Sequence, residues 1–200
     1  ESKFAKLLTE NRPIIAVSIH MSNFFAGNIK LKSIVTAPLV LNILKYQPYS
    51  KKEAVAYKYF GNDLIETKIH RLSEKPAIKL IKALKNNELV WTYLDVSPEF
   101  VETMKVKMFN KEVSLPKGPA ELAAITGAVI VPFIVSRVGE ISTLEFEEPI
   151  EVPLVRDKEA RLETVGVITQ KLANHYESWI RRTPDQWHMW PLMEALCAAR

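Results

Sequence analysis

The sequence predicts an α/β fold, a mainly parallel central sheet flanked by helices, and three observations predict it. Short, β-branched apolar runs recur along the chain with helix-like segments between them. Several of these runs are continuous rather than alternating, as expected of strands covered on both faces. The ionisable residues His20, Asp95 and Arg137 each follow such a run, at strand ends where open α/β sheets hold their ligands. With 200 residues, 48% of them apolar, the chain is expected to form one domain over residues 1–200 around a sizeable core.

The first run, Pro13 to Ile19, is apolar and β-branched and reads as a buried strand. Residues 23–36 suit a helix entered through Ser22 or Asn23, both capping types. Leu39 to Leu44 is a second apolar run. Ser50-Lys51-Lys52-Glu53 has the spacing of a capping box and predicts a helix through Tyr59, stopped by Gly61-Asn62. Leu64 to Ile69 alternates like a strand. Pro76 opens the helical pattern "AIKLIKALK", ended by Asn86-Asn87. Leu89 to Leu94 is another buried strand with Asp95 at its C-terminal end. Residues 96–116 are less regular, with an extended piece at Lys105–Phe109. Gly118-Pro119 starts the helix "PAELAAIT", closed by Gly127. Ala128 to Val135 reads as a strand with Arg137 just past its end, and Ile141 to Phe146 as an edge strand. A long amphipathic helix is predicted over 158–182, stopped before Pro184.

Composition narrows the function. The 27 basic and 23 acidic side chains leave a formal charge of +4, mild enough to favour an acidic partner or an anionic surface without suggesting nucleic acid. No basic run interleaved with aromatics occurs. Cys197 is the single cysteine, so an internal disulfide and a cysteine zinc site are excluded, which fits a reducing compartment. No apolar stretch approaches the ~20 residues that span a bilayer. Lys45, Lys51, Lys52 and Lys58 read as a solvated face, and Trp187, Met189 and Trp190 as residues packing on the core or lining an acyl groove.

Each candidate residue carries a chemical and a plainer reading. His20, at a strand end before a helix, suits a general base near neutral pH or a hydrogen-bonded structural histidine. Asp95 suits a group that orients a base or binds a hydroxyl, or a loop cap. Arg137 suits a phosphate or oxyanion contact, or a surface ion pair. The helix beginning at Gly118 offers its N-terminus to an anion or is simply a well-bounded core helix. Phe24, Phe25, Ile29 and Ile34 follow the His20 strand and are expected to line an apolar groove.

Four blocks, taken in order, carry a family resemblance: "SIHMSNFF", "ALKNNELVWTYLD", "VKMFNKEVSLPKGPAELAAITGAVIVPFIVSR" and "PDQWHMW". From Pro13 to Met193 the chain resembles the lipid A late acyltransferases and the related phosphatidylinositol mannoside acyltransferases of the lysophospholipid acyltransferase superfamily. The Trp-His-Met form of the last block is closer to the mannoside branch. In the second block Asn87 takes the place of a glycine.

The resemblance implies a glycerolipid-acyltransferase-like fold. It implies transfer of a fatty acyl group from an acyl carrier protein or coenzyme A thioester to a lipid-linked or carrier-tethered hydroxyl or amine, without a metal or a further cofactor. It also implies a cytoplasmic location with peripheral contact at the inner face of the cell membrane. Family members usually carry an N-terminal membrane-anchoring helix, expected here to be absent or removed. His20 and Asp95 are the expected catalytic residues, and Asn23, Arg137, Gly118, Phe24 and Phe25 the expected substrate contacts.

The chain departs from the family at one position. The family's catalytic pair is His-x4-Asp or His-x4-Glu, and here Phe25 stands where the acid belongs. A phenyl ring cannot accept a hydrogen bond from imidazole. Three alternatives follow: another acid, Asp95 or Glu102, reaches His20; His20 works alone, its tautomer fixed by a backbone carbonyl; or the domain is an impaired homologue that binds an acyl group or acyl carrier in a biosynthetic assembly line.

Overall fold

The computed structural model describes residues 2–45 and 63–198. The helix predicted from Ser50 to Tyr59, its stop at Gly61-Asn62, and Lys51, Lys52 and Lys58 lie outside the described residues. Within them, β1 (Ile14–Ser18), β2 (Leu39–Lys45), β3 (Ile65–Arg71), β4 (Leu89–Tyr93), β7 (Val129–Val138) and β8 (Ile141–Phe146) form one sheet in the order β3-β2-β4-β1-β7-β8. All neighbours run parallel except β8, which returns antiparallel beside β7.

The apolar runs become strands because both faces of the sheet are covered. Along β1, Ile15 and Val17 face one core cluster and Ile14 and Ala16 the other, and all five strand residues are buried. Helices α3 (Ala77–Lys85), α4 (Gly118–Thr126) and α5 (Lys158–Arg182) add Leu80, Ala123 and Leu172 to the first cluster. Helices α1 (Ser2–Thr9) and α2 (Phe25–Ile34) add Phe4 and Leu31 to the second. A short helix, α6 (Met193–Ala198), ends the described chain.

Several boundaries differ from the sequence reading, each for a physical reason. Helix α1 was not legible in its eight residues. Neither Ser22 nor Asn23 caps α2 through its side chain: Ser22 takes a left-handed backbone (φ 48°) and Phe24 stands at the N-cap. Helix α2 lies close on the sheet because Gly27 has no Cβ, which would come within 3.0 Å of Val135 Cγ2. Strand β7 runs on to Val138 because β8 pairs with it as far as Ile141, so Arg137 lies within the strand and not beyond it. The irregular stretch after Asp95 contains a two-stranded hairpin, β5 (Thr103–Met108) and β6 (Lys111–Pro116), of which only part of β5 was expected. At the other predicted stops, Gly127 has φ 72° and Asn87 has φ 58°. A left-handed backbone at 87 is what glycine provides most cheaply and asparagine tolerates, which accounts for the exchange in that motif.

Candidate active site

Because β4 lies directly beside β1, the loops after the two strands leave the sheet together. Leu94 N–H donates to Ser18 carbonyl oxygen at 2.8 Å, extending the ladder to the last turn before the two side chains. His20 Nδ1 then meets Asp95 Oδ1 at 2.8 Å, across 75 positions of sequence. A carboxylate accepts, so Nδ1 is the donor in this contact and Nε2 is the ring nitrogen that Asp95 does not engage. Asp95 is 2% exposed and accepts two further hydrogen bonds on Oδ2, from the backbone N–H of His20 at 2.8 Å and from Trp187 Nε1 at 3.0 Å. Three N–H donors make ionised burial tolerable, where an unpaired carboxylate would not be.

The imidazole sits among rings. Tyr93 stacks on it with centroids 4.4 Å apart, and Phe24 meets it edge-on at 4.8 Å. Burial, reinforced by the charge of Asp95, pushes the Tyr93 phenol well above its usual range. Tyr93 therefore stays neutral and acts as a stacking surface. Tyr176 on α5 donates its hydroxyl to the Val17 carbonyl, tying the longest helix to the strand that leads to His20. Burial and the Asp95 charge likewise raise that phenol well above its ordinary value.

Residues 184–188 close the site from the side. Met21 and Trp187 form an antiparallel bridge. Ser22 N–H donates to the Gln186 carbonyl, and His188 N–H to the His20 carbonyl. The Gln186 side chain takes both backbone groups of Arg137: Oε1 accepts from its N–H and Nε2 donates to its carbonyl, each at 2.8 Å. Strand β1 pairs with β7 only as far as Pro132, and Gln186 satisfies the inner edge of β7 beyond that point. Trp187, Gln186 and Tyr93 were not singled out as site residues from the sequence. Trp187 read as a packing residue, which at 3% exposure it also is.

The other candidates are placed as follows. Phe25, in the position of the family acid, makes no ring contact with His20; it stacks on Phe24 at 4.6 Å, lies under Lys45 Nζ at 5.7 Å, and is 38% exposed instead of packed in the core. Ile29, one turn on, is 41% exposed, whereas Ile34 packs against the second cluster. Asn23 is exposed, and its carbonyl accepts from Ala26 N–H. Arg137 is exposed, and among the described residues its guanidinium forms no hydrogen bond or ion pair with His20 or Asp95. Gly118 has an ordinary helical backbone, and an added Cβ would meet nothing within 4 Å, so neither close approach nor strain requires glycine there. Glu102 is held by Lys117 Nζ at 2.6 Å, which lowers the glutamate and raises the lysine from their ordinary values. Of the two acids considered for His20, Asp95 is the one that reaches it.

Among the described residues no helix is long and apolar enough to cross a membrane. The family model described as bacterial lipid A biosynthesis acyltransferase matches residues 1–191. No curated protein matches the chain.

Proposed function

The chain belongs to the bacterial lipid A biosynthesis acyltransferase family, and from that premise we propose that it transfers a fatty acyl group from a thioester to a hydroxyl, with His20 as general base and Asp95 as its orienting acid. The acyl donor is an acyl carrier protein or coenzyme A thioester, and the acceptor is a lipid or carrier-tethered hydroxyl. The single observation that carries this reading is the 2.8 Å contact between His20 Nδ1 and a buried, fully hydrogen-bonded carboxylate. It supplies from Asp95 what the family draws from the position of Phe25.

The proposed chemistry follows from that pair. His20 Nε2 takes the proton of the acceptor hydroxyl as its oxygen bonds to the thioester carbonyl carbon. Asp95 stabilises the imidazolium that forms. Collapse of the tetrahedral intermediate breaks the carbon–sulfur bond, and the Nε2 proton passes to the departing thiolate. The products are an ester and a free thiol, and His20 is returned neutral. Phe24, Phe25 and Ile29 are proposed to meet the acyl chain, where each buried methylene contributes roughly 0.8 kcal/mol. Asn23 and Arg137 are proposed as polar substrate contacts at the same rim.

Release of free thiol from acyl-coenzyme A and acyl-carrier thioesters, with and without candidate acceptors, tests the proposal. His20→Ala and Asp95→Asn should each lower acceptor-dependent release by about 10³-fold or more, since loss of the orienting acid costs ~10⁴ in a serine-protease triad. Release that survives His20→Ala removes His20 as the base. Tight acyl-carrier binding with no release by the native protein would identify an acyl-binding homologue instead.

A further inference from the structure

We infer that Trp187 is a positioning residue for this reaction, its indole N–H fixing the rotation of the Asp95 carboxylate against His20. The inference rests on the assignment of His20 and Asp95 above. A carboxylate rotates about its last bond, and only a fixed rotation aims one oxygen at Nδ1. Here Oδ1 has the imidazole as its hydrogen-bond donor, while Oδ2 is held by two donors, the His20 amide and Trp187 Nε1. The amide belongs to the residue being oriented and moves with its loop. Trp187 is the only donor to Asp95 that comes from elsewhere among the described residues, 92 positions further along the chain.

Its own placement is over-determined. The ring is 3% exposed and lies in the core cluster. Its backbone bridges Met21, and the flanking Gln186 and His188 bind Ser22, Arg137 and His20. The indole is therefore held independently of the carboxylate it grips, as orienting a catalytic group requires. Trp190 provides the internal comparison. It packs on Trp187 with centroids 4.8 Å apart, and its N–H goes to the Pro184 carbonyl instead of the acid.

Trp187→Phe keeps the ring and deletes the donor. It should lower kcat roughly tenfold, the loss of one hydrogen bond to a charged group, with the KM for the thioester unchanged. A carboxylate with one donor fewer favours imidazolium more strongly. The acidic limb of the pH–rate profile should therefore move to higher pH. Trp190→Phe should leave that limb in place. The His20 Nδ1–H proton, followed by NMR without substrate, should exchange faster in Trp187→Phe than in the native protein. Should Trp187→Phe fail to fold, benzothienylalanine at 187 replaces the N–H by sulfur with nearly the same shape. An unmoved limb and an unchanged Nδ1–H signal, or an equal limb shift in Trp190→Phe, would overturn the inference. If His20→Ala retains activity, the reaction assignment falls, while the substrate-free proton signal still decides whether Trp187 orders the pair.

Discussion

Two adjacent phenylalanines have opposite surroundings. Phe24 sits edge-on to the imidazole, touches Tyr93 and approaches His188; Phe25 leans outward beneath Lys45. The motif's acid position is therefore turned away from the histidine, and a carboxylate restored there would meet the lysine first. Phe25→Glu should accordingly raise kcat by no more than about twofold and change stability by no more than about 0.5 kcal/mol, as exposed substitutions do, while the KM for a long-chain thioester rises because a carboxylate replaces a proposed acyl contact. A tenfold rise in kcat would show that position 25 reaches His20 during turnover. Tyr93→Phe should also be nearly silent, because the stacked ring remains and the raised phenol neither ionises nor exchanges a proton in the working range. Tyr93→Ala should lower both stability and rate, since it strips one face of the imidazole and leaves a cavity, a loss of about 3–5 kcal/mol for large aromatic truncations. Thermal melts beside thiol-release rates separate the two.

Elements are joined here by side-chain amides that stand in for strands. Gln186 completes the inner edge of β7 at Arg137, and Gln170 on α5 does the same for Lys107 on β5, accepting from its N–H and donating to its carbonyl. Gln186→Ala should cost about 1–3 kcal/mol, two hydrogen bonds at about 1 kcal/mol each and an exposed strand edge. Hydrogen exchange should quicken at the Arg137 and Ser22 amides; unchanged exchange there would mean that residues 184–188 stay docked without the clasp. How much of this was legible depended on local chemistry. Strands β1, β4 and β7 were readable because burial on both faces demands unbroken apolar runs. The β5–β6 hairpin was obscured because lysines alternate on its solvated face and its turn is Phe109-Asn110, both left-handed, where Asn-Gly is the usual signal. His20 and Asp95 were visible as residues at strand ends, but their meeting depends on β4 inserting next to β1. Spatial order differs from chain order, and no spacing rule encodes that. The indole of Trp187 read as core because apolar area is legible and the direction of an N–H is not.

Away from the candidate site, the described residues include a polar chain that runs from β3 through β2 to the residue before β4 and is anchored on one buried asparagine. Asn42 on β2, 1% exposed, accepts from His70 Nε2 on β3 and donates to Glu88 just before β4, and Glu88 also binds Lys68. Burial holds His70 below its ordinary value; Lys79 and Lys68 act in the same direction, and Glu88 and Glu74 oppose them. The unfolded chain then binds the proton more readily than the folded one. Stability from this group is complete above the unfolded value near 6.5 and declines as pH falls from there toward the folded value. Urea unfolding at pH 7 and pH 5 should show a smaller loss for His70→Gln than for the native protein; equal losses would exclude His70 as a contributor. The Asp95 carboxylate has a different molecular consequence, one of timing. Its donors are separated by most of the chain, so a polypeptide emerging from the ribosome can lay β1 beside β4 long before residue 187 exists. Pairing of the strands can precede ordering of the acid, and the completed His20–Asp95–Trp187 arrangement is then a late event of biosynthesis. In refolding, secondary structure should recover before thiol release does, with the interval set by docking of the segment that carries Trp187.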